Sequence, residues 1–246
     1  MKKTILLLFL SIPLLSQEYK TPPEVISSMI EADPQPNLSF NNKGDMALVM
    51  KRDGYKPIED LAIEELRIAG TRIDPKRYTS SRMTYYKSFS MIDINTGENI
   101  NLDYPKDGKF SFFSWSPDET KIAYTNTTDA GVELWVVDLN TKKSKKLSEK
   151  YINDILVSPF QWFNSGSNLL VSYRCNSDMP LIKSVPSGPI IQQTNNQNAP
   201  SRTYQDLIKN KNDEIQFEYY SCIELHKVST KGSESEFIDS GMIKDY

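Results

Sequence analysis

The chain has 246 residues, 38% hydrophobic and 25% charged, a globular composition that excludes a disordered protein and allows a sizeable core. Its net charge is −3, or −5 without Lys2 and Lys3, so neither nucleic acid nor an anionic membrane surface is an expected partner. A single histidine and two cysteines without a Cys-x-x-Cys spacing give no metal or redox motif, and no cofactor is expected.

Residues 1–16 read as a secretory signal peptide. Lys2-Lys3 form a positive start, Ile5 to Leu15 an apolar run too short to span a bilayer, and Ser16 a small residue before Gln17. No Cys follows to accept a lipid, so export to the periplasm or the extracellular space, without a membrane anchor, is expected. Over residues 17–37, Thr21-Pro-Pro-Glu24 matches a capping box, and Val25, Ile26, Met29 and Ile30 form one apolar stripe. A short helix ended by Pro34 is predicted there, docking the N-terminus.

From Leu38 onward the chain repeats. Phe40 to Val49, Trp115 to Tyr124 and Trp162 to Val171 align without gaps, each an aromatic, a polar turn and then a strand. In the middle copy, Ser116-Pro117-Asp118 supplies a turn with proline pre-set at its second position. Val132 to Asp138 follows as a strand dense enough in apolar residues to be buried on both faces. A second pattern recurs too: Ile92-Asp93-Ile-Asn-Thr-Gly97 up to Leu102 matches Val137-Asp138-Leu-Asn-Thr-Lys142 up to Leu147, with a looser copy at Leu225 to Gly232. Lys142, Lys143, Lys145 and Lys146 then belong to a solvated blade edge, where charge discourages edge-to-edge pairing, rather than to a nucleic-acid patch.

Two interruptions break the repeats. Residues 54–85 are predicted to hold a helix with Ile58, Leu61, Ala62, Leu66 and Ala69 on one face and Gly70 as its stop; Glu64-Glu65 then fall on a solvated helix face. Residues 175–221 contain Val185-Pro-Ser-Gly-Pro189, a Gln/Asn-rich loop over Gln192 to Asn198, and a predicted helix from Thr203 to about Lys211. Cys175 and Cys222 flank this second interruption, where an oxidising compartment allows a disulfide; two free thiols are the other reading. Without the interruptions, residues 38–246 leave about 130, room for three blades of about 40–45. The fold class is therefore all-β, a partial β-propeller of about three four-stranded blades with short helical insertions. Because a closed ring needs at least four, the chain is expected to be the N-terminal part of a longer protein.

The insertions carry a closer likeness than the blades. Pro22-Pro-x-Glu, Glu59-Asp-Leu-Ala62, Glu65-Leu-Arg-Ile-Ala-Gly70, Arg72-Ile-Asp-Pro75, Ser81-Arg-Met83, Ser114-Trp-Ser-Pro-Asp118, Val185-Pro-Ser-Gly-Pro189 and Thr203-Tyr-Gln-Asp-Leu207 occur in order. Together they resemble the start of the glutamyl endopeptidase branch of the prolyl oligopeptidase family. The resemblance implies a two-domain serine peptidase acting on peptides, with a propeller that screens access and an α/β-hydrolase domain that cleaves after Glu. That C-terminal hydrolase domain is absent here: no glycine is followed two positions later by serine, so no Gly-x-Ser-x-Gly nucleophile elbow exists. No catalytic residue transfers, His226 is read as structural or exposed, and the chain is expected to be inactive alone. A peptidase that prefers Glu needs cations near its specificity pocket, which makes Arg72 and Arg82 candidate substrate-binding residues within the group Arg67, Arg72, Arg77 and Arg82. Salt bridges to Glu59, Glu64 and Asp74 are the competing account of those arginines. The competing account of the whole chain is a non-catalytic periplasmic propeller used for binding or scaffolding.

Overall fold

The computed structural model describes residues 20–181, 205–232 and 235–244. The signal peptide, the Val185 to Pro189 element and the Gln/Asn-rich loop lie outside them. The chain divides into two units, the first ending at Asp33. That unit holds α1 (Glu24–Glu31), which starts from Pro23 with no side-chain cap, so the predicted Thr21/Glu24 capping box does not form. Instead, the amides of Ile26 and Ser27 donate to the Pro23 carbonyl.

The second unit contains three four-stranded antiparallel sheets, each a blade. Blade 1 is β1 (Asn37–Phe40), β2 (Met46–Lys51), β6 (Ser88–Asp93) and β7 (Asn99–Asn101). Blade 2 is β8 (Phe110–Trp115), β9 (Lys121–Thr127), β10 (Val132–Asp138) and β11 (Lys143–Lys146), and blade 3 is β12 (Phe160–Trp162), β13 (Asn168–Arg174), β14 (Ile223–Ser229) and β15 (Ser235–Gly241). Strand periodicity explains how the blades stack. On β9, Ile122 and Tyr124 point to a core shared with Leu48, Met50, Phe89 and Met91 of blade 1. Ala123 points the other way, with Val132, Leu134 and Val136, to a core shared with Leu169, Val171 and Tyr173 of blade 3. Blade 2 is thus buried on both faces.

The repeated aromatics stitch blade to blade. Trp115 ends β8 and its indole N–H donates to Ser39 Oγ of β1, while the Trp162 indole at the end of β12 donates to the Ser114 carbonyl of β8, both at 3.2 Å. The Trp-Ser-Pro-Asp turn is fixed locally, because Ser116 Oγ donates to Asp118 Oδ1 at 2.6 Å and accepts the Lys121 amide at 2.9 Å. The second repeat has the same internal logic. Asp93 Oδ1 accepts the amides of Asn95 and Thr96, and Asp138 Oδ1 those of Asn140 and Thr141, so each aspartate turns its chain into the outer strand.

At the opposite end of the blades lie the two insertions, and both differ from expectation. Between β2 and β6 the helix is a single turn, α2 (Ile58–Leu61), followed by a three-stranded sheet of β3 (Leu66–Ile68), β4 (Thr71–Asp74) and β5 (Thr79–Ser80). Leu66 and Ile68 alternate with exposed Arg67, and Ala69-Gly70 both take positive φ (51° and 73°). Two such residues make the hairpin turn that matches strand twist, so Gly70 closes a hairpin and not a helix. Before β14, residues 205–210 are not helical and α3 runs over Lys211–Ser221. Asn210 Oδ1 accepts the Asp213 amide at 3.0 Å and Asp213 Oδ2 accepts the Lys209 amide at 2.8 Å, a reciprocal cap that sets where the helix begins.

Candidate functional site

The insertions pack on each other and form a cap over one end of blades 2 and 3. Ile68 and Ile73 of the small sheet meet Tyr220 of α3 and Ile155 of the connection between blades 2 and 3. The Gly70 amide donates to the Asp206 carbonyl at 3.1 Å, and the Tyr78 and Tyr219 hydroxyls hydrogen-bond at 2.8 Å. Cys175 and Cys222, at the base of the second insertion, are joined by a disulfide with Cα atoms 5.7 Å apart. It continues the β13–β14 ladder one step past the Arg174 and Ile223 pair.

Arg174 is the centre of this cap. Its guanidinium lies over the rings of Tyr78 and Tyr151, at 4.5 and 5.1 Å, and donates to the Arg77 carbonyl at 2.7 Å. Gly131 makes this possible, since a Cβ there would stand 2.2 Å from Arg174 Nη2. Four segments therefore meet at one cation: the first insertion, the β9–β10 turn, the inter-blade connection and β13. Burial lowers the Arg174 pKa and pushes the neighbouring Asp154 carboxyl up to about 7. Asn153 completes the junction by donating to the carbonyls of Tyr220 and Cys222 at 2.7 and 2.9 Å.

The four arginines of the first insertion have different surroundings. Arg77 pairs with Asp74 at 3.0 Å and with Asp129 at 2.6 Å, where these hydrogen bonds hold its pKa up against burial. Arg67 and Arg82 share Glu65, at 2.7 and 3.4 Å. Glu65 is not on a solvated helix face; its side chain is 8% exposed, and hydrogen bonds from Ser81 and Arg67 hold its pKa down. Of the sequence-based salt-bridge partners, only Asp74 is used among the described residues. Arg72 is exposed on β4, directly across from Arg67, and makes no ion pair among the described residues. A cavity of about 520 Å³ opens beside Arg82, between the first insertion and the 107–109 loop.

No family model matches the chain. It is 33% identical over 231 residues to a rice (Oryza sativa subsp. japonica) protein named "Probable glutamyl endopeptidase, chloroplastic", covering 87% of this chain and 24% of the relative. The Arabidopsis thaliana protein of the same name is 32% identical over 234 residues, with 89% and 24% covered. A match of this extent takes in insertion sequence as well as the blade repeats. The chain belongs to the prolyl oligopeptidase family. It spans about a quarter of the length of the curated relatives it matches. Among solved structures it is similar to an acylaminoacyl peptidase from Pyrococcus horikoshii, with a TM-score of 0.45, 12% identity, and coverage of 87% of this chain and 25% of that one.

A serine peptidase of this family needs a nucleophile, a base and an acid in contact, and blade 3 holds one such chain of side chains. Ser235 Oγ is 2.8 Å from His226 Nδ1, and His226 Nε2 is 3.2 Å from Glu224 Oε2. The arrangement works as strand packing. His226 is 5% exposed between the rings of Tyr173 and Phe237, and Lys150 Nζ reaches both Glu224, at 3.0 Å, and His226 Nε2, at 3.3 Å. Lys150, the Asn176 amide and His226 hold the Glu224 pKa down against burial. Ser235 stands exposed on the last strand of the blade. Sequence reasoning missed Glu65, Asp154 and Arg174. Only the Asn210-x-x-Asp213 cap had a local signature that would have placed α3.

Proposed function

We propose that this chain is the propeller portion of an exported serine peptidase that cleaves peptides after Glu, with residues 38–246 as an incomplete propeller and a separate hydrolase domain as its partner. The observation that carries the reading is the identity to two proteins named as glutamyl endopeptidases across blades and insertions alike. In this reading the cap screens substrate access and the chain alone is inactive. Three features support that assignment: the sequence has no nucleophile elbow, its one histidine is locked in a blade, and two insertions are pooled at one end of the blades. Residues 1–16 direct export and 17–37 lead into blade 1; the Cys175–Cys222 disulfide agrees with an oxidising destination.

Arg72 and Arg82 are the proposed contacts to the substrate carboxylate. Arg72 has no carboxylate partner among the described residues, and Arg82 shares Glu65 with Arg67. The test uses the complete protein and the present chain on one pair of peptides that differ only as Glu or Gln at the cleaved position. Cleavage after Glu by the complete protein alone is expected, and Arg72→Gln or Arg82→Gln should reduce the Glu over Gln preference. Hydrolysis by the isolated chain, or an unchanged preference in both variants, would count against the respective part of the reading.

A further inference from the structure

We infer that the cavity beside Arg82 is a binding subsite for one acidic side chain of a peptide. The inference rests on the peptidase reading above for the class of ligand, and on the cavity's own chemistry for the acid. About 520 Å³ is the size of a site for a side chain with its flanking backbone. Tyr55, Met83, Tyr85 and Tyr86 give it largely apolar walls, against which the stem of a side chain packs.

The polar groups on those walls are unequally satisfied. Lys87 pairs with Asp53 at 2.6 Å, and Lys109 pairs with the buried Asp60. Among the described residues Lys56 donates only to the Arg82 carbonyl, so its charge meets no carboxylate there. Arg52 is half-buried in the same wall and makes neither an ion pair nor a side-chain hydrogen bond among the described residues. A partly desolvated guanidinium without a partner costs free energy, and an incoming carboxylate offsets that cost through two parallel N–H···O bonds. Four cations face three carboxylates, Asp107 being the third. That balance fits a single carboxylate better than a phosphate, whose second charge would meet the aspartates. Arg52 and Lys56 are thus assigned as the carboxylate contacts.

The measurement is a calorimetric titration of the isolated chain with two end-capped pentapeptides, one with a central Glu and the other with Gln. The Glu peptide is expected to bind about tenfold more tightly, the difference made by a charge-assisted pair. Arg52→Gln and Lys56→Gln should each bring the two peptides close to equality, and Arg52→Lys should restore part of the gap. Lys143→Gln, on the outer strand of blade 2, should leave it intact. A circular dichroism melt of each variant separates lost binding from lost folding. Equal binding of the two peptides, a gap that survives both Arg52→Gln and Lys56→Gln, or no binding of the Glu peptide at millimolar concentration would each overturn the inference. The outcome is independent of cleavage. Acid-selective binding by this chain together with a complete protein that does not cleave after Glu would leave the subsite standing and remove the peptidase reading, and the reverse result would do the opposite.

Discussion

Asp154 sits in the connection between blades 2 and 3, under the cap, and burial raises its carboxyl from an ordinary 3.8 to about 7. Its Oδ1 meets no donor, and the buried Thr79 Oγ1 also lacks a partner. The neighbouring Thr79 hydroxyl and Arg174 on β13 both favour the charged form, yet neither offsets the loss of water. Because the folded protein holds this proton more tightly than the unfolded chain, the contribution is complete below about pH 4, falls as pH rises towards 7, and is flat above that. Between about pH 5 and about pH 8 the loss amounts to roughly 3 kcal/mol. Asp154→Asn keeps the shape and removes the titration. Urea unfolding of both proteins, followed by tryptophan fluorescence at those two pH values, should show the variant gaining about 3 kcal/mol on the wild type at the higher one. Glu65, Asp129 and Glu224, whose pKa values are held down, titrate in the opposite sense in both proteins and cancel in the difference. An identical difference at the two pH values would show that Asp154 is hydrated or paired in solution, and would refute the argument.

The Cys175–Cys222 bond closes a 47-residue separation, which is worth about 4 kcal/mol in the chain-entropy account. Cys222→Ser should lower the thermal midpoint, reductant should bring the wild type down to the variant, and a midpoint indifferent to dithiothreitol would count against that. The Trp115 to Ser39 hydrogen bond joins blades 1 and 2. Trp115→Phe and Ser39→Ala should therefore be non-additive in urea unfolding, with a coupling of about 0.5–1.5 kcal/mol, whereas simple additivity would mean that packing alone joins the blades.

The blades were legible because their signals are local and repeat. Trp115-Ser-Pro-Asp118 and Val137-Asp138-Leu-Asn-Thr-Lys142 each form their turn with their own side chains, so spacing alone is enough to place the four strand ends they connect. The first insertion misled for the opposite reason. Leu61, Ala62, Leu66 and Ala69 satisfy a helical period, but Leu66 and Ile68 satisfy a strand period equally well, and the choice is made by a tertiary partner, Tyr220, 147 positions from Ile73. Glu65 looked solvated because its ligands, Ser81 and Arg82, come from the far side of a hairpin that the helix reading did not contain.

The two ends of the blades therefore answer to different physics. At the turn end, the turns themselves are fixed by side chains within a few residues, only the tryptophan contacts reach from blade to blade, and substitutions there should change stability while leaving any ligand untouched. At the cap end, Arg174 draws on Tyr78, Tyr151 and Gly131, and the cavity beside Arg82 draws on the segment after β2, the first insertion and the loop before β8. Such sites exist only when the blades are already in register. Function built from them inherits the stability of the scaffold, which is why the half-buried Arg52, without an ion pair among the described residues, can persist at one end while the tryptophan stitches hold the other.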